Sequence, residues 1–252
     1  MLVIENLSVQ FGGNVVVDDV SFSCSPGEVT AIIGPNGAGK TTLFDAVTGY
    51  TKARSGSVRS DATQLCGKPT FKIGRSGVAR TFQTPRLFEG MTVLENLIVA
   101  SNDGGLPALT RAAFFRVGER AFENKAIDQA MYWLEFLKLS AKRDVYASDL
   151  SGGQRKLVEL GRALMTEPRY VLLDEPVAGV APAMVNEIGT RLQELAAKGL
   201  GVIIIEHNMD FIMRISDHVV VLASGRVLAR GTAKEIQSHP EVLEAYLGGA
   251  VA

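Results

Sequence analysis

The sequence has no long apolar run and very little cysteine. Its longest apolar stretches are short, such as VIII at 202–205 and VVVL at 219–222, whereas a membrane-spanning helix needs about 20 apolar residues. Cys24 and Cys66 form neither a C-x-x-C pair nor a metal-binding spacing, which predicts a reducing compartment. The N-terminus lacks the basic segment of a signal peptide. We therefore expect a chain that does not cross a membrane itself, although it can dock on a protein that does.

An excess of charge of one sign is also absent. The chain has 26 Lys and Arg residues against 27 Asp and Glu residues, which gives a net charge of −1. Such a balance provides no general attraction for nucleic acid or anionic lipid, and we expect no nucleic-acid partner. With 252 residues, 46% of them hydrophobic, the chain can form one large domain, or one domain with an inserted subdomain.

Short apolar runs that end at a glycine or a charged residue alternate with helical patterns. Continuous runs rich in β-branched residues are typical of strands buried on both faces of a parallel sheet. Between them, apolar residues recur with helical spacing, as Leu157, Leu160 and Leu164 do. This alternation predicts an α/β architecture. The predicted strands are the N-terminal MLVIENLSVQF, VTAII (29–33), YVLL (170–173), GVIII (201–205) and HVVVL (218–222).

The stretch from about 85 to 150 differs, because no buried-strand pattern interrupts it. Thr92 and Glu95 have the spacing of a capping box at a helix start. Residues 121–139 place a set of apolar side chains on one helical face, namely Ile127, Ala130, Met131, Leu134 and Leu137. We interpret this region as a helical insertion, in which GGLPALTRAAFFRVG (104–118) is loop-like and has no predicted role.

The segment GPNGAGKTT at 34–42 follows the strand EVTAII and opens a helical pattern. This is the context that a phosphate-binding loop G-x-x-x-x-G-K-[ST] requires. Its glycines let backbone N–H groups turn toward phosphate oxygens, and the helix start adds a positive dipole. Lys40 is predicted to reach the β- and γ-phosphates, Thr41 to bind Mg²⁺ and Thr42 to bind the α-phosphate. The predicted ATP-binding residues of this loop are Gly34, Pro35, Asn36, Gly37, Ala38, Gly39, Lys40, Thr41 and Thr42.

Two carboxylates follow another predicted strand, in YVLLDEP. Nucleotide sites of open parallel sheets lie beyond the carboxyl ends of the strands. Asp174 suits a ligand of Mg²⁺, and Glu175 suits a general base that polarises the attacking water. The alternative is a solvated acidic turn closed by Pro176, which the phosphate loop makes less favoured.

Three more residues are candidates by position. Gln83, in RTFQTPRLF, could contact Mg²⁺ or the attacking water or act as a hinge, although a lone glutamine is usually a surface residue. His207, after GVIIIE, could donate a hydrogen bond to the γ-phosphate, but a lone histidine at a strand end is more often structural. Phe11 could stack on adenine or be an edge-strand aromatic. The residues alone leave these alternatives open.

A second loop of phosphate-binding type occurs at 150–156, in LSGGQRK. A small polar residue and two glycines precede a helical pattern, and such a helix start suits an anion. The first loop already suffices for one nucleotide, so the second is predicted to reach a nucleotide on another subunit, packed head to tail. The residues predicted to contact that γ-phosphate are Ser151, Gly152, Gly153 and Gln154.

These motifs, in this order and over essentially the whole chain, resemble the ATP-binding subunit of ABC transporters, of which LSGGQ is the signature. The resemblance implies an α/β fold with a RecA-like parallel-sheet core, an N-terminal antiparallel β part and an inserted helical subdomain. It also implies a dimer that holds ATP between its subunits. We predict a single domain, 1–252, with a core of 1–84 and 155–252 and a helical subdomain of 85–154 that carries the signature.

Three further stretches, ARTFQTPRLFEGMTVLENL, IIIEHNM and EVLEAYLGG, are similar to the LivG-type ATPase of branched-chain amino acid importers. In that group two different ATPase subunits pair beneath two permease subunits, and a periplasmic protein delivers the substrate. The resemblance implies an ATP-hydrolysing subunit that uses ATP and Mg²⁺. It also implies a peripheral position on the cytoplasmic face of the cell membrane.

One departure and two alternatives accompany this prediction. Ala181 stands where many relatives have an Asp after the DEP motif, although the amino acid importers often lack it too. The ATPase of lipopolysaccharide export shares the EPxAGV pattern but tends to have YLPQ where this chain has RTFQ. A soluble ATPase of iron–sulfur cofactor assembly has similar motifs. The intact Lys40, Asp174, Glu175 and His207 argue against an inactive regulatory cassette.

Overall fold

The computed structural model describes residues 1–101 and 119–247. In this part of the chain, β1, β2, β4 and β5 form an antiparallel sheet of order β2-β1-β4-β5. A six-stranded sheet has the order β10-β9-β3-β8-β7-β6 and is parallel from β9 to β6. The strands are β1 Leu2–Phe11, β2 Asn14–Cys24, β3 Val29–Ile33, β4 Ser55–Ser60, β5 Thr63–Gln64, β6 Val78–Arg80, β7 Tyr170–Asp174, β8 Gly201–Ile205, β9 His218–Ala223 and β10 Arg226–Gly231.

Helices connect the parallel strands and pack on both faces of their sheet. The helices of the described residues are α1 Lys40–Val47, α2 Thr70–Arg75, α3 Val93–Val99, α4 Glu119–Phe136, α5 Gly152–Leu164, α6 Pro182–Ala197, α7 Met209–Ile215, α8 Ala233–Gln237 and α9 Pro240–Leu247. Two 3-10 turns, Ser140–Lys142 and Ala147–Asp149, lie between α4 and α5. No helix among the described residues is both long and apolar enough to span a membrane.

The parallel sheet lies between two apolar cores, and this explains its continuous apolar strands. In β8, Val202 and Ile204 pack into the core that contains α5, α6 and α7, whereas Ile203 and Ile205 pack into the core shared with α1 and the antiparallel sheet. Successive side chains of a strand point to opposite faces. A strand that is covered on both faces therefore needs apolar side chains on both sides, and this accounts for its uninterrupted apolar run. The alternation of such strands with helices confirms the predicted α/β fold.

The register of the parallel strands brings three loops together at one edge of the sheet. Ile205, the last residue of β8, lies opposite Ile32 of β3 on one side and opposite Asp174 of β7 on the other. The loop after β3, the residue after β7 and the residues after β8 therefore start side by side. This is the edge at which the sequence predicts the nucleotide.

The region after residue 85 is helical where the structure describes it. The capping box is present, because the Thr92 hydroxyl accepts a hydrogen bond from the Glu95 N–H and the Glu95 carboxylate accepts one from the Thr92 N–H. Ala130 and Leu134 of α4 are fully buried as predicted, but Ile127 is 38% exposed. Ile127 lies near the end of the apolar face predicted for 121–139. An expectation that this whole face is buried is therefore wrong at Ile127.

Helix α5 runs without a break across the predicted boundary at 154/155 and packs on α3 and α4 as well as on β6 and α6. One rigid helix thus links the signature to the sheet core, and the boundaries of the helical subdomain stay a prediction. The loop predicted at 104–118 lies outside the described residues.

Candidate active site

The phosphate-type loop turns tightly between β3 and α1, and two of its glycines are required by their surroundings. Gly34 has φ +152°, and a Cβ there would lie 2.1 Å from the Leu222 carbonyl oxygen. Gly39 has φ +93°, and a Cβ there would lie 2.6 Å from the Val16 carbonyl oxygen. The backbone of the loop can therefore approach its neighbours only without side chains at these positions.

Lys40 is folded into this loop. Its ammonium donates hydrogen bonds to the carbonyl oxygens of Gly34 at 2.7 Å and Pro35 at 2.9 Å, and the residue is only 6% exposed. Burial lowers the pKa of Lys40, while the nearby carboxylates of Glu175 and Asp174 raise it. The arrangement holds an ammonium group where a bound phosphate chain would meet it.

A cavity of about 240 Å³ opens beside the loop. Its walls are residues 36–42 of the loop together with Val16, Glu175, Ile205 and His207. Phe11 is not part of these walls; it is 53% exposed at the end of β1, and Val16 of the neighbouring strand lines the cavity instead. A stacking role of Phe11 stays a prediction.

The Glu175 carboxylate joins the candidate residues that follow different strands. Gln83 donates from Nε2 to Glu175 Oε2 at 2.7 Å, and His207 Nε2 lies 3.1 Å from Glu175 Oε1. Glu175 is half-buried and has φ +49°, a left-handed conformation that is uncommon for a residue with a Cβ. The structure therefore brings the three predicted catalytic residues together, although it does not test their roles.

Arg80 is a buried partner of this site that the sequence pattern did not single out. Its guanidinium pairs with Asp174 at 3.2 Å and with Asp45 at 2.5 Å, and the side chains of Arg80 and Asp174 are 6% and 7% exposed. Burial raises the pKa of Asp174, and Arg80 lowers it. The available signal was an arginine at the end of a strand, since β6 pairs directly with β7, which ends in Asp174.

The signature residues begin α5 and lie apart from the cavity walls. Ser151 is the exposed N-cap, and its hydroxyl and the Gln154 side chain form a reciprocal capping box. A Cβ on Gly153 would lie 2.5 Å from Met184 Cγ, so this glycine allows α6 to approach, whereas Gly152 faces open space. Within the described residues, none of these four belongs to the walls around the phosphate loop. Ser151 and Gly152 are exposed, whereas Gly153 is buried and Gln154 is half-buried.

Further along α5, two charged side chains hold the segment that contains Gln83. Glu159, 7% exposed, accepts hydrogen bonds from the N–H groups of Phe82 at 3.2 Å and Arg86 at 3.4 Å. Arg162 donates to the Arg86 carbonyl oxygen. These residues were not predicted as functional; the sequence signal was their spacing of three, which places them on one helical face.

The donor set at the site fits a magnesium ion. Asp174, Thr41 and Gln83 carry carboxylate, hydroxyl and amide oxygens, which are the ligand types that Mg²⁺ prefers. The described residues contain no group of three or more His, Cys, Asp and Glu side chains that could hold a metal by themselves.

The family models and relatives that match this chain are those of ABC transporters. The model of the "ABC transporter" family matches residues 17–178, and that of the "Branched-chain amino acid ATP-binding cassette transporter" matches residues 226–252. The chain is 42% identical over 248 residues to a probable branched-chain amino acid transport ATP-binding protein LivG of Methanocaldococcus jannaschii, covering 97% of this chain and 96% of that protein. It is 40% identical over 255 residues to the high-affinity branched-chain amino acid transport ATP-binding protein BraF of Pseudomonas aeruginosa. This match covers 99% of this chain and 98% of that protein.

Solved structures agree with the fold. A nucleotide-free ATP-binding cassette of an ABC transporter superposes with a TM-score of 0.85 at 41% identity, covering 98% of both chains. An ADP-bound conformation of such a cassette matches with the same TM-score, identity and coverage. The family match over most of the chain, its full-length relatives and this shared fold confirm the predicted resemblance: the chain belongs to the ABC transporter family and is one of its ATP-binding, ATP-hydrolysing proteins.

Proposed function

We propose that this chain is the ATP-hydrolysing motor subunit of an importer for branched-chain or other hydrophobic amino acids. The observation that carries the chemistry is the Glu175 carboxylate, held by Gln83 and His207 beside the loop that contains Lys40. The substrate class is supported by the LivG and BraF relatives and by the family match at the C-terminal end.

For hydrolysis, the loop N–H groups and Lys40 bind the phosphates, and Thr42 contacts the α-phosphate. Thr41, Asp174 and Gln83 would hold Mg²⁺, which offsets the negative charge of the phosphates when bound. Glu175 takes a proton from the attacking water, and Gln83, which donates to Glu175 Oε2 at 2.7 Å, helps to orient that water.

His207 and Phe11 complete the binding of the nucleotide. His207 donates a hydrogen bond to the γ-phosphate, and its position in the cavity wall supports this role. Phe11 stacks on adenine, and its exposed ring is free to do so.

A dimer accounts for the second loop. Two subunits packed head to tail bury two ATP molecules, and residues 151–154 of each contact the γ-phosphate bound to the other. The exposed Ser151 at the start of α5, apart from its own cavity, supports this arrangement. Closure on ATP and opening after hydrolysis form the motor cycle, and the second subunit is either a copy of this chain or a different ATPase.

The membrane partners are two permease subunits, and indirectly a periplasmic or extracellular substrate-binding protein. The chain then lies peripherally on the cytoplasmic face of the cell membrane. Closure reaches the permeases through the groove near Gln83, including residues 85–89. A cavity of about 380 Å³ there, lined in part by Tyr50, Phe82 and Arg86, supports this contact.

Two variants test the ATPase chemistry. Lys40→Ala is expected to abolish tight MgATP binding in a calorimetric titration, whereas the exposed-site control Lys142→Ala binds normally. Glu175→Gln is expected to bind ATP, hydrolyse it very slowly and accumulate as a closed dimer on size exclusion, with Glu241→Gln as its control. Near-normal affinity of the Lys40 variant, or normal turnover of the Glu175 variant, contradicts the assignment of that residue.

A pull-down of the tagged chain from its native membranes in mild detergent tests the transport assignment. Two multi-span permeases together with a second ATPase are expected partners. Recovery with a lipopolysaccharide export machine, or with iron–sulfur assembly factors in the soluble fraction, would retain the ATPase chemistry and refute amino acid import.

A further inference from the structure

The backbone of Glu175 adopts a conformation that needs support. A left-handed φ such as its +49° is unfavourable for a residue with a Cβ, because the Cβ then crowds the backbone. Such strain persists only where surrounding contacts hold it, and it concentrates at functional sites. The Glu175 N–H donates to the Ile205 carbonyl oxygen at 2.9 Å, which fixes one side of this peptide. On the other side, the Glu175 carbonyl oxygen accepts a hydrogen bond from the Ala178 N–H at 3.2 Å, which leaves one lone pair for a second donor.

Lys156 of α5 supplies this second donor. Its ammonium donates to the backbone carbonyl oxygen of Glu175, and it also reaches the carbonyl oxygen of Gln83 at 3.4 Å. The side chains of these same two residues meet at 2.7 Å. One ammonium group therefore ties together the two backbone positions whose side chains form the centre of the site.

Lys156 makes these two contacts without facing the nucleotide cavity. It is not part of the cavity walls beside the phosphate loop, to which Glu175 belongs. The side chain is partly buried, and burial lowers the pKa of Lys156, while the carboxylates of Glu206 and Glu159 raise it and partly offset that effect. A cation that contacts only backbone oxygens of the site can orient the base without binding the phosphates.

We propose that Lys156 is a positioning residue for hydrolysis, which holds the Glu175 backbone in its left-handed conformation and thereby places the carboxylate beside Gln83. The proposal rests on the assignment of Glu175 as the base. Because Lys156 belongs to α5, it also connects the start of the signature helix to the base of the same subunit.

The test compares Lys156→Met and Lys156→Arg in the purified full-length protein with Lys138→Met, a control whose ammonium pairs with Glu187 at 3.2 Å. Lys156→Met is expected to lower kcat by about 10- to 100-fold, the effect of a small misplacement of a catalytic group. The MgATP dissociation constant is expected to stay within about twofold, because the phosphate contacts are unchanged. Lys156→Arg, which keeps a cationic donor, restores most of kcat, and the control behaves as wild type.

A second comparison asks whether Lys156 acts through Glu175. In the Glu175→Gln background, Lys156→Met is expected to leave the residual single-turnover rate unchanged, since residues of one unit are non-additive. A further drop by the same factor, or a parallel loss of ATP affinity, refutes the positioning role. If Lys156→Met does not fold, the shorter Lys156→Gln provides the same comparison.

The two assignments fail in different ways. A slow Glu175→Gln together with a fully active Lys156→Met overturns only the role of Lys156. Normal turnover of Glu175→Gln overturns the general base itself, and with it the positioning role.

Discussion

The buried ion pair between Arg80 and Asp174 allows a quantitative prediction about stability. Arg80→Met keeps an apolar stem of similar length but removes the charge that faces Asp174 at 3.2 Å. Removing one partner of a buried pair costs about 3–5 kcal/mol, because the other charge remains buried. The guanidinium also lies 5.5–5.7 Å from the ring centroids of Phe44, Tyr50 and Phe82, and these contacts add to the loss. We expect a destabilisation of at least about 3 kcal/mol.

A matched arginine provides the control. Arg59 pairs with Glu5 at 2.7 Å, but the two side chains are 46% and 48% exposed. Exposed pairs contribute about 0.2–1 kcal/mol, so Arg59→Met is expected to lose less than about 1 kcal/mol. The two variants share the chemical change and differ in burial.

Urea unfolding followed by circular dichroism and by the fluorescence of Trp133, the single tryptophan, measures both free energies. In a chain of this size, about 3 kcal/mol corresponds to a shift of roughly 6–12 °C in Tm. Adding Asp174→Asn to Arg80→Met should recover part of the loss, because the deeply buried charge is then removed and Asp45, the other partner of Arg80, is 32% exposed. Equal losses for Arg80→Met and Arg59→Met would refute the argument from burial.

Three further outcomes are expected. Ala181 is the N-cap of α6 without a side-chain hydrogen bond, so Ala181→Asp should raise the free energy of unfolding by about 1 kcal/mol, and an unchanged urea midpoint contradicts this. Burial raises the pKa of Cys24 to about 12, so in Cys66→Ser a thiol reagent at neutral pH should label the chain only after unfolding. Burial also raises the pKa of Glu159, so the folded state holds more protons than the unfolded state between the two pKa values. The free energy of unfolding should therefore fall as pH rises through that window. Glu159→Gln should remove this contribution to the pH dependence of the free energy of unfolding.

Local sequence patterns were sufficient to predict the α/β fold class and most of the candidate site residues. The strands at 29–33, 170–173, 201–205 and 218–222 were predictable because burial on both faces requires an uninterrupted apolar run. The phosphate loop was predictable because only a few residue types at fixed spacing can turn a backbone around phosphates. The candidate residues Asp174, Glu175 and His207 follow from their positions at strand ends, whereas Gln83 lies three residues after β6, a strand that the sequence pattern did not predict.

Tertiary structure alone decided which groups hold these residues in place. Arg80 and Asp174 are 94 residues apart in sequence, and Lys156 and Glu175 are 19 apart. Lone charged residues of this kind look like surface residues in a sequence, because no local spacing distinguishes a buried partner from a solvated one. Their roles depend on strand register and on the packing of α5 against the edge of the sheet, and both arise only when distant segments bury their apolar faces together.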